Sequence, residues 1–235
     1  MSILIVSGTG TDIGKTVATA ALAACATGSV AVVKPIQTGV REGEPGDLAE
    51  VTRLTGITEV HEFRRYPEPL SPHHAARDSG LPELTDGEAV LRIVDLANQF
   101  DNVIVEGAGG LLVPYDNDTR WTLVDLAHEL EAPVMVVTAP GLGTLNHTTL
   151  TVERLHEESL ELAGIMLGSW PREPDLAMRY GIVDIRRLCG RSELAGVLPA
   201  GMSAMRDFTE QARAALAPEW GGTFDWQAFR AAQQI

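Results

Sequence analysis

The chain has 235 residues, of which 45% are hydrophobic, and it carries a formal net charge of −14. This length and apolar content predict a folded domain with a sizeable core and exclude a disordered chain. The negative charge argues against a nucleic-acid partner and against an anionic membrane surface, because both need a basic protein face.

Six short apolar runs, rich in β-branched residues, predict strands that are buried on both faces of a parallel sheet. They cover residues 3–6, 30–33, 103–105, 134–137, 164–167 and 196–198. Helical stretches lie between several of them, at residues 15–26, 47–56, 86–100 and 148–161. This alternation predicts a three-layer α/β fold with a central, mostly parallel sheet flanked by helices. We expect one domain over residues 1–235, with a peripheral helical tail at 206–235 that is broken at 218–222.

The loops after the predicted strands contain the most informative residues. They read SGTGTDIGKT, KPIQTG, EGAGG, TAPGLGT, SWP and PAG in chain order. In a parallel α/β sheet such loops all leave the carboxyl edge, where ligands bind. Glycines, two lysines and a glutamate from distant parts of the chain are therefore predicted to gather at one edge.

The first loop, GTGTDIGKT at residues 8–16, has the pattern of a phosphate-binding P-loop. Gly14, Lys15 and Thr16 match the end of that motif, between a predicted strand and a predicted helix. The start departs from the strict motif, because Gly8 comes one residue early and Thr9 stands where glycine is expected. The context predicts a nucleoside triphosphate site, and the alternative is a glycine-rich turn with an incidental lysine.

Lysine occurs only at positions 15 and 34, whereas the chain has sixteen arginines. A lysine ammonium is compact and fits between phosphate oxygens, while the planar guanidinium of arginine is wider. Lys34 ends the second predicted strand and would lie beside the P-loop if the two strands are neighbours. We therefore expect both lysines in one site; the alternative for Lys34 is a side chain exposed at a strand end.

Two acidic residues are candidates for the same edge. Glu106 ends a buried predicted strand and opens the GAGG loop, so its carboxylate is expected to face the ligand. Asp47 begins the helical stretch DLAE, in which Glu50 predicts a capping box with Asp47 as the N-cap. The local sequence leaves a capping role and a ligand role open for Asp47.

Five segments together resemble the dethiobiotin synthetase family: GTGTDIGKT, KPIQTG, VEGAGGLLVP, LGTLNHTTLT and LPAG. The resemblance runs from residue 3 to about residue 201. It implies the P-loop NTPase fold, a homodimer, and a ligase of biotin biosynthesis. Members of this family close the ureido ring of dethiobiotin from 7,8-diaminopelargonic acid and CO₂, with Mg²⁺ and a nucleoside triphosphate such as ATP.

The resemblance also implies roles for individual residues of this chain. Lys34 and Lys15 are implied as catalytic, and Thr16, Asp47 and Glu106 as the Mg²⁺ ligands. The implied nucleotide contacts are Asp12, Ile13, Gly14, Lys15, Thr16, Val17, Asp47, Glu106, Gly107, Ala108, Gly109, Ser169, Pro199, Ala200 and Gly201. The implied substrate contacts are Thr11, Lys34, Thr38, Gly143, Thr144, Leu145 and Asn146.

The last four of these residues precede a predicted helix, whose N-terminal amides could hold an anion. In the family this region holds the substrate carboxylate of the neighbouring subunit. Ordinary helix capping by Thr144 is the alternative. We interpret His73 and His74 as loop residues near the substrate or the dimer interface, because adjacent histidines point apart on regular structure and no third metal ligand is spaced near them.

One loop departs from the family. Many members have an asparagine after the fifth run that reads adenine, whereas this chain has GSWP at residues 168–171. Ser169 can make one adaptable hydrogen bond, and Trp170 can either stack on a base or pack. The choice of nucleotide base is therefore predicted to be relaxed.

Two other protein classes share parts of this pattern. Partitioning or membrane-switch ATPases have a related P-loop but carry a signature lysine near its start, where this chain has Thr, Gly, Thr and Asp at 9–12. Cobyrinate-type amidating synthetases need an additional glutaminase domain, for which the chain is too short. With no basic leader and no apolar run of bilayer length, a cytoplasmic enzyme is expected.

Overall fold

The computed structural model describes residues 2–190 and 194–235, and within them one seven-stranded sheet is fully parallel. The strand order is β3-β2-β4-β1-β5-β6-β7. The strands are β1 (Ser2–Gly8), β2 (Val30–Thr38), β3 (Val60–Tyr66), β4 (Asn102–Gly110), β5 (Val134–Thr138), β6 (Leu162–Trp170) and β7 (Gly196–Pro199). All six apolar runs are strands, and the three-layer α/β fold is confirmed.

Strand β3 has no counterpart among the predicted runs. Its sequence, VHEFRRY, places polar and charged side chains between the apolar ones. It pairs only with β2 and forms one edge of the sheet, where polar side chains can reach solvent. A search for continuous apolar runs detects strands buried on both faces and therefore misses an edge strand of this kind.

Nine helices flank the sheet in the described residues. They are α1 (Lys15–Cys25), α2 (Asp47–Thr55), α3 (Pro72–Ser79), α4 (Asp86–Ala97), α5 (Leu123–Glu129), α6 (Thr144–Glu157), α7 (Leu176–Leu188), α8 (Phe208–Ala215) and α9 (Trp226–Gln233). The helix after β2 ends at Gly56, which adopts the left-handed conformation as a C-cap. Helices α3, α5 and α7 were not predicted; the first two have only eight and seven residues, too few for a clear helical period. None of the described helices is long and apolar enough to cross a membrane.

Each face of the sheet has its own hydrophobic core. Along β4, Val103 and Val105 point into one core and Ile104 into the other, as alternation along a strand requires. Helices α1, α2 and α8 cover one face, and α3 to α7 cover the other. The carboxyl ends of the strands remain open between these layers, and there the site is built.

The C-terminal tail contains the predicted helices, α8 and α9, with a break around Pro218–Trp220. Phe208 and Leu216 are buried in the core on the α1 face, whereas Trp226 is buried in the core on the opposite face. Leu216 also forms an antiparallel bridge with Gly196 of β7. The tail thus packs at the β7 edge of the sheet and contributes to both cores.

Candidate active site

A cavity of about 740 Å³ opens at the carboxyl ends of β1, β2 and β4. Many of the residues expected to bind nucleotide, metal or substrate line it. They are Thr11, Asp12, Gly14, Lys15, Thr16, Val17, Lys34, Thr38, Asp47, Glu106, Ala108 and Gly109. Residues that are far apart in sequence therefore meet where a parallel sheet binds ligands.

The loop between β1 and α1 is tightly wound and needs glycine where it meets β6. Asp12 and Gly14 have positive φ angles of 56° and 95°. A Cβ atom on Gly168 of β6 would lie 1.8 Å from the carbonyl oxygen of Ile13, and one on Gly14 would lie 2.6 Å from the Gly168 oxygen. The Lys15 ammonium folds back over this loop and donates to the Gly10 oxygen at 2.7 Å. A tight loop before a helix, with a lysine folded over it, is the arrangement expected of a phosphate-binding loop.

Lys34 lines the cavity and is only 3% exposed. Its Nζ atom lies 2.6 Å from Asp47 Oδ2 and 2.7 Å from Glu106 Oε1, and it donates to the Gly107 oxygen at 3.2 Å. An ammonium has three donors, so these three acceptors saturate it. The alternative of an exposed strand-end lysine is wrong.

The route by which Lys34 reaches the P-loop differs from the expectation. Strands β1 and β2 are not neighbours, because β4 lies between them. The connection runs through Glu106, which lies in the middle of β4 and not at its end as expected; its Oε1 accepts from both Lys34 Nζ and Thr16 Oγ1, the latter at 2.9 Å. One buried carboxylate thus joins the P-loop helix to the second strand.

The two lysines have opposite pKa shifts. Burial lowers the pKa of Lys15, and the nearby charge of Lys34 lowers it further. Burial also disfavours the charged form of Lys34, but the carboxylates of Glu106 and Asp47 outweigh it and raise the Lys34 pKa above its ordinary value. Lys34 is therefore a permanent cation at physiological pH.

Asp47 is not the N-cap that its sequence context suggests. The N-cap of α2 is Gly46, which has no side chain with which to cap the helix, and Asp47 is the first helical residue. The predicted capping box is absent, since Glu50 instead pairs with Arg53 at 2.6 Å. The Asp47 carboxylate is free of a capping bond and turns to Lys34, because an ammonium is the stronger partner.

The oxygen atoms around Lys34 suit a hard divalent cation. Glu106 is 1% exposed, and its second oxygen, Oε2, has no hydrogen-bond partner among the described residues. A buried carboxylate oxygen without a partner is costly unless a ligand satisfies it. The Thr16 hydroxyl and the Asp47 carboxylate line the same cavity. This set of oxygens fits Mg²⁺, which binds few protein ligands and takes others from phosphate and water.

The glycine-rich end of β4, residues 107–110, is fixed by contacts with residues that follow it in the chain. The amide of Ala108 donates to the buried hydroxyl of Tyr115 at 2.6 Å, and the Tyr115 ring packs on Trp121 at 4.4 Å between centroids. A Cβ atom on Gly107 would lie 2.3 Å from Leu123. These contacts fix the direction in which the Glu106 carboxylate and the Gly107 oxygen point.

Some expected site residues do not line this cavity. Ile13 packs against the core and Gly107 contributes only its carbonyl oxygen to Lys34. Ser169, Pro199, Ala200 and Gly201 are at the ends of β6 and β7, outside the cavity lining. Trp170 is buried and packs edge-on against Phe229 at 5.5 Å, so it packs rather than presenting a face for base stacking.

The segment from Gly143 to Asn146 also lies outside the cavity lining of its own chain. Gly143 is the N-cap of α6, with a φ of 92°, and no side chain caps the helix. The Thr144 hydroxyl instead contacts Thr138 at 2.7 Å, so ordinary capping by Thr144 is excluded in this structure. The first amides of α6 are left without a side-chain cap beside Leu142, which is 96% exposed.

One wall of the cavity was missed in the sequence. It consists mainly of the proline-rich turn after β3. Two residues of β2, the glycine after β2 and one residue after β4 complete it, so that the full set is Ile36, Gln37, Gly39, Pro69, Leu70, Ser71, Pro72 and Val113. The motif PEPLSP is a clear turn signal. Because β3 was not recognised as a strand, its following turn was not assigned to the ligand edge.

His73 and His74 are helical rather than loop residues, since both belong to α3. Their rings do not point apart; the centroids are 3.9 Å apart. His73 is buried with Nδ1 3.2 Å from the Pro114 oxygen, and burial lowers its pKa. No group of three or more His, Cys, Asp or Glu side chains within residues 2–190 and 194–235 could hold a metal ion.

Comparison with known proteins agrees with the architecture. A family model described as an AAA domain matches residues 2–203. The ParA family ATPase from Chlorobium tepidum superposes over 99% of this chain and 98% of its own, with a TM-score of 0.53 and 13% identity. The MinC:MinD complex of Aquifex aeolicus matches over 90% of this chain and 86% of that chain, with a TM-score of 0.53 and 12% identity. At such low identity these structures support the fold alone.

Curated relatives are far more similar in sequence. The ATP-dependent dethiobiotin synthetase BioD of Frankia casuarinae is 56% identical over 98% of both chains. The protein of the same name from Streptomyces avermitilis is 49% identical over 99% of both chains. That from Rhodococcus jostii is 56% identical over 86% of this chain and 87% of its own.

Proposed function

We propose a reaction mechanism from the premise that this chain belongs to the family of ATP-dependent dethiobiotin synthetases. It is thus a ligase of biotin biosynthesis that forms the ureido ring with ATP as co-substrate. The observation that carries the mechanism is the position of Lys34, whose ammonium is buried between Glu106 and Asp47 in the cavity of the P-loop. A fixed cation there suits a reaction in which two anions must meet.

The proposed chemistry has three steps. One amine of 7,8-diaminopelargonic acid adds to CO₂ and loses a proton, which gives a carbamate. A carbamate oxygen attacks the γ-phosphorus of ATP and ADP leaves, which gives a carbamic–phosphoric anhydride. The second amine then attacks the carbonyl carbon, loses a proton and expels inorganic phosphate, which closes the ring.

Each lysine has a distinct role in this proposal. Lys34 exchanges at least one of its three protein acceptors for oxygens of the carbamate and the γ-phosphate, and it stabilises the negative charge that accumulates as they approach. Lys15 swings from the Gly10 oxygen to the terminal phosphates, whose oxygens are better acceptors for an ammonium. Thr11 and Thr38 line the same cavity, and their hydroxyl groups are available to polar groups of the substrate.

Asp12, Gly14 and Val17 are proposed to contact the phosphates around Lys15, and Ala108 and Gly109 to face them from the glycine-rich end of β4. Mg²⁺ would be held by Thr16, Asp47 and Glu106, and when bound it neutralises charge on the phosphates. This metal site is supported by the oxygen atoms of these three residues, in particular by Glu106 Oε2, which has no hydrogen-bond partner among the described residues.

We also propose a cytoplasmic homodimer in which the start of α6 completes the site of the other subunit. Gly143 to Asn146 do not line the cavity of their own chain, and the α6 amides could hold the substrate carboxylate. Leu142, Leu145 and Leu150 are exposed beside them, as expected of a surface that a second copy covers.

The experiment combines two measurements on the purified protein. ADP release should require both diaminopelargonic acid and bicarbonate, and the product should have the mass of dethiobiotin. ADP release that depends instead on DNA or lipid vesicles would support the partitioning-type ATPase and overturn the proposal.

A further inference from the structure

The first residue of α2 is held by a side chain from another element. Gly46, the N-cap of this helix, has no side chain with which to cap it. The amide of Asp47 donates instead to Gln37 Oε1 at 2.8 Å, and Gln37 Nε2 donates to the Thr38 oxygen at 3.1 Å. Gln37 is 5% exposed, so both ends of a buried amide group are satisfied.

A second side chain fastens the loop that leads into α2. Arg65 of β3 is the register partner of Gln37 on β2. Its Nη1 donates to the carbonyl oxygens of Arg41 and Glu44 at 3.1 and 2.6 Å. A Cβ atom on Gly46 would lie 2.7 Å from Gln37 Oε1, so a larger residue there would displace the Gln37 amide group from its present position.

These contacts bear directly on Asp47. Its amide is bonded to Gln37 on β2, while its carboxylate lies 2.6 Å from Lys34 on the same strand. Two bonds from one strand to the amide and the carboxylate of one residue fix its orientation. Without the Gln37 bond, the start of α2 would be held to this part of β2 only through the carboxylate itself.

We propose that Gln37 is a positioning residue that orients the Asp47 carboxylate toward Lys34 and the metal. Gln37 acts through the backbone amide of Asp47, and Arg65 assists by ordering the preceding loop. This inference rests on the proposed function in one respect, the role of Asp47 as a Mg²⁺ ligand. A purely structural role for Gln37 would affect stability but not the affinity of the folded site for metal.

The first test is hydrogen exchange in the metal-free protein. Gln37→Met keeps the size of the side chain and removes the acceptor, so the Asp47 amide should exchange about tenfold faster. Gln37→Glu keeps an acceptor oxygen and should retain protection within about threefold of the wild type. Gln227→Met, on the exposed face of α9, is the matched control and should leave the Asp47 amide unchanged.

The second test measures Mn²⁺ binding by electron paramagnetic resonance in the presence of a non-hydrolysable ATP analogue. Gln37→Met should weaken Mn²⁺ binding about fivefold, the size expected for one hydrogen bond. In an Asp47→Asn background the same change should weaken it less than about 1.5-fold, because a residue that acts through Asp47 has nothing left to position.

Two results would overturn the proposal: wild-type Mn²⁺ affinity in Gln37→Met, or the same fivefold loss with and without the Asp47 carboxylate. If Gln37→Met does not fold, Gln37→Ala takes its place in the Mn²⁺ measurement: a loss of affinity that disappears in the Asp47→Asn background supports the proposal, and wild-type affinity overturns it. Neither test uses diaminopelargonic acid or bicarbonate, so a failure of the proposed reaction would be recognised separately.

Discussion

At the scale of single residues, the cavity explains why positions 15 and 34 hold lysine and not arginine. The Lys34 ammonium is enclosed by three acceptors at 2.6 to 3.2 Å from a single nitrogen. A guanidinium spreads its donors over a planar fork and cannot direct them at three acceptors around one point. Lys15 is likewise buried against the narrow turn of the P-loop.

We therefore expect Lys34→Arg to lower turnover at least ~100-fold although it preserves the charge, which is the loss typical of one transition-state donor. The measurement is the initial rate of dethiobiotin formation at saturating ATP. Arg213→Lys, an exposed change on α8, should leave the rate nearly unchanged. Near-normal activity of Lys34→Arg would show that the site requires charge and not the shape of lysine.

Substitutions of Asp47 and Glu106 should change the Mg²⁺ dependence of the rate in different ways. Asp47→Asn should raise the Mg²⁺ concentration for half-maximal rate about tenfold, because an amide oxygen is a poorer ligand for a hard cation. The substitution should leave α2 largely intact, since the bond from the Asp47 amide to Gln37 remains and only the contact of the Asp47 side chain with Lys34 is weakened. Full activity of Asp47→Asn at limiting Mg²⁺ would exclude it as a ligand.

Glu106→Gln should have a larger effect on the rate, because Glu106 Oε1 joins Thr16 and Lys34 and its Oε2 is the unpaired oxygen. We expect at least a ~100-fold loss of turnover that added Mg²⁺ does not fully restore. Glu129→Gln, exposed at the end of α5, is the control and should behave as the wild type.

At the scale of elements, the P-loop depends on the end of β6 for its shape. Gly168 approaches Ile13 so closely that a methyl group there must displace backbone. Gly168→Ala should raise the KM for ATP at least ~10-fold and lower the free energy of unfolding by about 1–3 kcal/mol, as overpacking does. Both are measured on one preparation, by steady-state kinetics and denaturant unfolding.

Gly181→Ala is the matched control, because Gly181 is inside α7 and a Cβ atom there meets nothing within 4 Å. Alanine should stabilise this helix by about 0.5–1 kcal/mol without changing the KM. If both glycine variants bind ATP normally, the contact between β6 and the P-loop has no role in nucleotide binding.

The loop after β6 also bears on the choice of base. Trp170 packs against Phe229, and the segment GSWP at residues 168–171 contains no asparagine that could make two hydrogen bonds to adenine. Such a contact is worth ~1–3 kcal/mol of discrimination where it has been measured, in nucleic-acid recognition. We expect CTP, GTP and UTP to support rates within about tenfold of ATP at equal, sub-saturating concentration. A preference for ATP above ~100-fold over every other triphosphate would reveal an adenine-reading group in another element.

An element can be predicted from the sequence when the residues that indicate it lie in one continuous segment. The P-loop and the GAGG segment are continuous motifs that directly follow apolar runs, so their position at the carboxyl edge could be predicted, although GAGG is the end of β4 and not a loop after it. Strand β3 is polar, and the wall at Pro69–Pro72 that follows it was therefore missed. The two partners of Asp47 could not be predicted either. Its amide donates to Gln37 and its carboxylate pairs with Lys34, and both contacts depend on how α2 packs against β2.

At the scale of the whole molecule, the tail joins the two cores that the sheet separates. Leu216 is fully buried on the α1 face and Trp226 is 7% exposed on the other. Peripheral helices would bury little apolar surface, and their loss would hardly affect folding. The burial of these side chains predicts instead that the tail contributes to the cooperative stability of the domain.

Leu216→Ala tests this role of the tail. It should lower the free energy of unfolding by about 2–5 kcal/mol, because it opens a cavity where the surrounding backbone cannot collapse. Leu176→Ala removes the same atoms from a side chain that is 61% exposed and should cost less than about 0.5 kcal/mol. Unfolding in urea, followed by both circular dichroism and tryptophan fluorescence, measures the two variants and checks that the transition is cooperative. If Leu216→Ala is as stable as Leu176→Ala, the tail folds independently of the sheet and is only appended to it.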